Sequence, residues 1–386
     1  MNIPFHKPIL PKELREIFPK SVQEGWLTTG PQVKKFEEIL CGYLGAKYVV
    51  AVNSCTAALH LSLAAKNFKP GDVFLAPTHT FVSSVEVGEY IGMIPELVDC
   101  DNDFNIDINQ LEDKIKKNDK IKCIVPVHFA GKPVNMKDIL FLSEKYDLFV
   151  LEDAAHALEG KSNIGKIGNT NQACAFSFYA NKNITTGGEG GAVATNDKDL
   201  ASKIRQLSLH GMSKDGWNRF KLGGKWYYDV AELGYKYNMT DIAASIGIWQ
   251  MKQINTWYDI RKKYFDKYSN YFNSINGASI QSEVQKHEVH ALHLFIITIA
   301  PEKWKIDRNK LILILNNLGI GTSVHYTPVH MHSYYIKKYR FKKKDFPNST
   351  HFSKNVISLP LYPEMTMKDI DYIIKSFDMI WNEYRK

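Results

Sequence analysis

The chain has 386 residues, 49 Lys+Arg against 41 Asp+Glu for a net charge of +8, and a composition that is 44% hydrophobic and 23% charged. This balance argues against a disordered, collagenous or coiled-coil chain, and the length suits two domains or one large α/β domain with an appendage. So mild a charge permits an anionic ligand without indicating nucleic acid. Cys41, Cys55, Cys100, Cys123 and Cys174 form no CxxC pair, which speaks against a disulfide framework or a zinc site and suits a reducing cytoplasm. No apolar run reaches signal-peptide length at the start, or the roughly 18 residues of a spanning helix elsewhere. The expectation is a soluble cytoplasmic protein with no membrane partner.

In chain order, short β-rich apolar runs alternate with helical patterns. The runs are 48-YVVAV-52, 73-VFLAP-77, 94-IPELV-98, 121-IKCIVPV-127 and 147-DLFVLE-152; residues 56–66, 81–91 and 134–146 read as helices. The alternation predicts an α/β fold with a mainly parallel sheet, helices on both faces and ligands beyond the carboxyl ends of the strands. After about residue 250 the texture changes. Long helical patterns over 245–272 and 307–319 flank the strand-like 292-LHLFIITIA-300, predicting a small α+β domain over 251–386 behind a large domain over 1–250. The lysine-rich stretches 114–122 and 337–344 read either as phosphate contacts or, as such runs more often are, as solvated faces or loops.

Four constellations carry chemistry. In 53-NSCTAALHLSL-63 a polar turn enters a helix, leaving backbone N–H groups at Thr56 and Ala57 beside the positive end of the dipole, an anion site by geometry; any Ser/Thr cap looks similar. In 77-PTHTFVSS-84, Phe81 can stack on a planar ring or join the core. In 151-LEDAAHALEG-160, Asp153 sits where a strand releases into a loop and is followed by His156; Asp153 reads either as a carboxylate aimed into a crevice or as a helix N-cap. In 174-CAFSFYANKNITTGGEGGAVATND-197, a strand leads to Lys182, a glycine-rich turn and another strand. A lysine just past a buried strand loses its proton more easily than a surface lysine, as a Schiff-base lysine requires; the alternatives are a solvated lysine and an ordinary hairpin. Ser177, five residues earlier, can donate to a phosphate. A carboxylate, a lysine, a helix-terminal phosphate cradle and an aromatic platform are the parts of a pyridoxal 5'-phosphate site, in which the carboxylate keeps the pyridine nitrogen protonated.

These motifs, with 25-GWLTTGP-31, IVPVHFAGKPVNM, 226-WYYDVAELGYKYNMTDIAASIG-247, 319-GIGTSVHYTPVH-330 and 358-SLPLYPEM-365, resemble the DegT-type aminotransferases of nucleotide-linked keto-sugars over nearly the whole chain. The resemblance implies the type I aminotransferase fold, a small C-terminal domain, an obligate homodimer with a shared active site, and pyridoxal 5'-phosphate. Position by position, Lys182 resembles the lysine that bonds the cofactor and shuttles the proton, Asp153 the partner of the pyridine nitrogen, and Phe81 the aromatic stacked on the ring. Thr56, Ala57 and Ser177 resemble phosphate contacts. His156 stands where the family more often has Gln, near the ring hydroxyl. In 234-GYKYNM-239, Asn238 resembles the residue that reaches the phosphate in the neighbouring subunit.

The glycine loop, TTGGEGG, is one residue longer than the usual TTGEGG. A dehydratase branch has His in place of the lysine, and Lys182 speaks against it. The function implied is amination of a nucleotide-linked keto-deoxysugar at carbon 4, with L-glutamate as donor; amination at carbon 3 is the alternative. A non-catalytic regulator is a further reading, as is an amino-acid aminotransferase, which would need an arginine for its substrate carboxylate, with Arg205 and Arg219 as candidates.

Overall fold

The computed structural model describes residues 1–7, 9, 17–23, 25–212 and 229–386. Its apolar runs become β1 (Tyr48–Val52), β2 (Val73–Pro77), β3 (Ile94–Val98), β4 (Ile121–Ile124), β5 (Phe149–Asp153), β6 (Ala173–Ser177) and β7 (Gly191–Thr195). Together they form one sheet in the order β1-β7-β6-β5-β4-β2-β3. From β6 through β5, β4 and β2 to β3 every pairing is parallel. β7 runs antiparallel to both β1 and β6, because β6 and β7 are the two arms of a hairpin whose tip carries Lys182.

Alternate residues of a strand face opposite sides of the sheet, and helices cover both. On one side Val50 and Val52 of β1 join Phe74, Leu151 and Val193 under the helices Cys55–Ala64 and Lys198–Leu207. On the other, Val49 and Ala51 meet Phe36, Phe176 and Ala244, from the helices Pro31–Leu44 and Asp241–Met251 among others. This double cover explains why the strands read as continuous apolar runs rather than alternating ones.

The helical pattern over 245–272 is two helices, Asp241–Met251 and Ile254–Ser274. At the junction the amides of Lys252 and Gln253 bond to carbonyls three residues back, a tightened turn that redirects the chain. Beyond it, β8 (Ala278–Ile280), β9 (Phe295–Ile299) and β10 (Val356–Leu359) form an antiparallel sheet. Its core of Tyr268, Phe272, Phe295, Trp304 and Phe377 also takes in Ile3, whose N–H bonds to the Gly319 carbonyl at 2.8 Å. Among the described residues, no helix is long and apolar enough to cross a membrane.

Candidate active site

The carboxyl ends of β1, β2, β5 and β6 open on one cavity of about 500 Å³, with Ser54, Thr56, Phe81, Asp153, His156, Ser177, Lys182 and Tyr326 in its wall. Strand alternation decides which of two adjacent carboxylates enters it. Glu152 is buried on the opposite face, where it accepts from His128 Nε2 at 3.1 Å; His128 Nδ1 takes the Val134 N–H, which leaves the ring proton on Nε2. Asp153 faces the cavity. Its Oδ2 accepts from Ser84 Oγ at 2.6 Å, Ser84 Oγ in turn lies 2.8 Å from Thr80 Oγ1, and its Oδ1 accepts from the Ala155 N–H at 3.1 Å. Turns rather than a helix follow Asp153, so it caps no helix, and its carboxylate is held in one orientation from both sides.

Lys182 is half-buried in the cavity wall. Burial pulls its pKa down to about 8, against the opposing pull of Cys55 and Asp153, so more of it is neutral near pH 7 than of a surface lysine. The longer glycine loop keeps the hairpin in register: the Phe178 N–H bonds to the Gly190 carbonyl at 2.8 Å and the Ala180 N–H to the Gly188 carbonyl at 2.9 Å. Gly187 (φ +96°) and Gly188 (φ +132°) take the conformations that side chains resist. Gly191 serves close approach instead. It pairs with Val52 on one side and Ser177 on the other, and a Cβ on it would lie 2.4 Å from the Ser54 carbonyl carbon. The missing side chain lets the N-terminus of the helix Cys55–Ala64 settle beside Ser177.

At that helix end the Ala57 N–H is already donated to Ser54 Oγ at 3.0 Å. The expectation of a free Ala57 amide is therefore corrected: Ser54 is the N-cap and uses it. Thr56 and the cap residue remain in the cavity wall, and Ala57 is buried.

Phe81 is 55% exposed and stands at the cavity mouth, 5.9 Å from the Tyr326 ring, so it belongs to no core. His156 lines the cavity, but both its ring nitrogens are engaged: Nδ1 accepts the Ala130 N–H at 3.1 Å, and Nε2 lies 3.0 Å from Tyr326 Oη. The donor expected to be free for a ring hydroxyl is held by Tyr326. Asn238 is not brought into the cavity of its own chain. It lies beside the end of β1 and donates to Thr29 Oγ1 at 2.7 Å. Arg205 makes a bidentate pair with Glu37, at 2.9 and 2.8 Å, away from the cavity. Arg219 lies outside the described residues, as do the first three residues of the 226–247 motif.

The sequence reading missed Ser84, Asn181 and Tyr326 as individuals. Ser84 and Tyr326 stand inside quoted motifs, and Asn181 is the neighbour of Lys182. Asn181 Oδ1 is buried without a hydrogen-bond partner among the described residues. With that orphaned acceptor, an amine of lowered pKa, a fixed carboxylate and a helix N-terminus, the cavity fits a phosphorylated aromatic aldehyde such as pyridoxal phosphate.

The sequence profile of the DegT/DnrJ/EryC1/StrS aminotransferase family matches residues 8–378. The chain belongs to this family. Its relatives include the spore coat polysaccharide biosynthesis protein SpsC of Bacillus subtilis, 42% identical over 97% of this chain and 96% of that protein. The UDP-4-amino-4-deoxy-L-arabinose–oxoglutarate aminotransferase of Shewanella sediminis is 34% identical over 98% of each. Among solved structures, Spr1654 of Streptococcus pneumoniae, described as a sugar aminotransferase, superimposes in its PMP-form with a TM-score of 0.91 at 30% identity, covering 99% of this chain and 100% of that one. Its PLP-form gives 0.90. This aminotransferase has the type I pyridoxal-phosphate fold, and it is a sugar aminotransferase with pyridoxal phosphate as its cofactor.

Proposed function

We propose that the enzyme aminates carbon 4 of a nucleotide-linked 4-keto-deoxysugar, with L-glutamate as donor. The observation that carries the reading is Lys182, an amine of lowered pKa in one cavity with the fixed carboxylate of Asp153. The carbon-4 position draws support from the name of the Shewanella relative, and a polysaccharide role from that of SpsC.

When bound, pyridoxal phosphate supplies an electron sink for the carbanion formed at the substrate carbon. The chain supplies the rest. Asp153, oriented by Ser84 and Ala155, holds a proton at the ring nitrogen. Lys182 would hold the cofactor through its aldehyde, and its Nζ, once free, is placed to take the proton from the donor α-carbon. In the second half-reaction it delivers a proton to carbon 4 of the sugar. Ser177, Thr56 and the capped helix end would hold the phosphate by hydroxyl and backbone N–H groups, and Phe81 would stack on the ring. Asn238, lying outside its own cavity, serves the partner subunit in a cytoplasmic homodimer. Residues 1–250 form the larger, cofactor-binding unit, with Ile3 packed on the smaller unit, and 251–386 form that smaller unit, which adds His325 and Tyr326 to the cavity wall.

The test is a panel of UDP-, GDP- and dTDP-linked 3-keto and 4-keto sugars with glutamate, with products identified by mass and NMR. A 4-amino sugar is the expected product. A 3-amino sugar would move the chemistry by one carbon, and DNA binding without transamination of any sugar would replace the enzyme with a regulator.

A further inference from the structure

We propose that Tyr326 donates a hydrogen bond to an oxygen of the sugar substrate, and that His156 is the positioning residue that aims it. The proposal rests on the sugar substrate named above and extends that reading to residues not assigned to the sugar.

The chain of contacts starts at a backbone amide. The Ala130 N–H can only donate, so His156 Nδ1, 3.1 Å away, is bare. Burial, reinforced by the charge of Lys182, pushes the imidazole pKa well below its ordinary value, so the ring is neutral and its one proton sits on Nε2. Nε2 lies 3.0 Å from Tyr326 Oη; it therefore donates and the phenol oxygen accepts. Burial also raises the phenol's pKa, so Tyr326 keeps its proton. Among the described residues Oη has no second partner, and its O–H is left to donate elsewhere.

The place of that O–H selects its acceptor. Tyr326 is in the wall of the cofactor cavity with Asp153 and Lys182. It is also in the wall of a neighbouring groove of about 650 Å³, shared with Phe81, Tyr90 and Tyr334. The cofactor belongs at the inner end, against the lysine and the carboxylate. A nucleotide is too large for the inner cavity alongside it and must extend outward, so the sugar ring, with its keto and hydroxyl oxygens, crosses the boundary that Tyr326 occupies. The backbone there is tied down, since the His325 carbonyl and the Tyr326 N–H lie 3.2 and 3.3 Å from His79 Nε2.

The same logic makes the His156 position chemically specific. Its side chain must present an acceptor to Ala130 and a donor to Tyr326. A neutral imidazole does so, and so does a glutamine amide, whose carbonyl and NH2 offer the same polarity. An aliphatic residue offers neither.

The test separates the two half-reactions in the cofactor-loaded enzyme. Glutamate is reacted with the aldehyde form, and the active nucleotide-linked keto-sugar with the amine form. Y326F is expected to raise the sugar KM and lower kcat/KM of the sugar half-reaction by about 10- to 100-fold, while slowing the glutamate half-reaction less than about threefold. H156L is expected to reproduce that split, and H156Q to recover the sugar step to within about threefold of the native enzyme. An unchanged sugar step in Y326F, or equal losses in both half-reactions with cofactor content intact, overturns the proposal for Tyr326. An H156L enzyme that behaves as the native one, or an H156Q enzyme as impaired as H156L, overturns the role of His156. A native enzyme that aminates no keto-sugar overturns the sugar reading itself, and this proposal with it.

Discussion

At the residue scale the proposed chemistry turns on an amine that must lose its proton and a carboxylate that must not turn away. Lys182, with its pKa pulled down to about 8 by burial, is mostly protonated below that pH and mostly neutral above it. The rate at which enzyme stripped of cofactor captures added pyridoxal phosphate should therefore rise with pH through about 8 and level off beyond. Stopped-flow capture rates that stay flat from pH 6 to 9 would contradict this. Lys182→Ala should lower transamination by at least about 1,000-fold, and borohydride reduction should then place no cofactor mass on the peptide 161–195. Asp153 accepts from Ser84 at 2.6 Å, so Ser84→Ala removes one of two orienting bonds. The loss should be about 1 kcal/mol, or roughly fivefold in kcat, against a loss of at least about 100-fold for Asp153→Ala, read from steady-state rates at saturating cofactor.

At the scale of elements, the site depends on strand ends lying level with one another. Gly191 lets β7 pass under the helix cap at Ser54, where a Cβ would come within 2.4 Å of the carbonyl carbon. Gly191→Ala should cost about 1–3 kcal/mol of stability from overpacking, with weaker retention of cofactor, measured by thermal melting and by cofactor content after dialysis. Gly188→Ala has open space around it but a φ of +132°, so its cost is backbone strain, and it should spare the phosphate end.

Much of this layout was legible from one dimension. β1, β2 and β3 coincide with their apolar runs, because strands buried on both faces show uninterrupted hydrophobicity. The lysine hairpin announced itself by its glycines. The break near Lys252 did not, since no proline or glycine marks it and the cause is a local shift in hydrogen bonding. Nor could side-chain partnerships across long separations be read. His156 and Tyr326 are 170 residues apart, and only folding reveals that the histidine's donor is engaged. The free amide expected at Ala57 failed for a nearer reason: a serine at the cap competes for the same N–H as a phosphate would.

For the whole molecule, the proposal of a shared site gives Asn238 a role that its own chain does not use. Asn238→Ala and Lys182→Ala proteins should each be strongly impaired. Subunit exchange between them should then restore up to about one quarter of native activity, since half of randomly mixed dimers are hybrid and each hybrid holds one intact site. Mixtures no more active than the parents would place both residues in one subunit's site. The +8 net charge finds no use at the proposed phosphate cradle, which relies on backbone N–H and hydroxyl groups.

The central claim is that amino nitrogen passes from glutamate to carbon 4 of a nucleotide-linked sugar through this cavity. The most direct measurement incubates the native enzyme with ¹⁵N-glutamate and a nucleotide-linked 4-keto-6-deoxyhexose, and follows the product by ¹H–¹⁵N correlation NMR. The expected product carries ¹⁵N bonded to carbon 4, in an amount that matches the 2-oxoglutarate formed, with no label in the Lys182→Ala control. Label at another carbon, or 2-oxoglutarate formed without any labelled sugar across the UDP-, GDP- and dTDP-linked substrates, would contradict it.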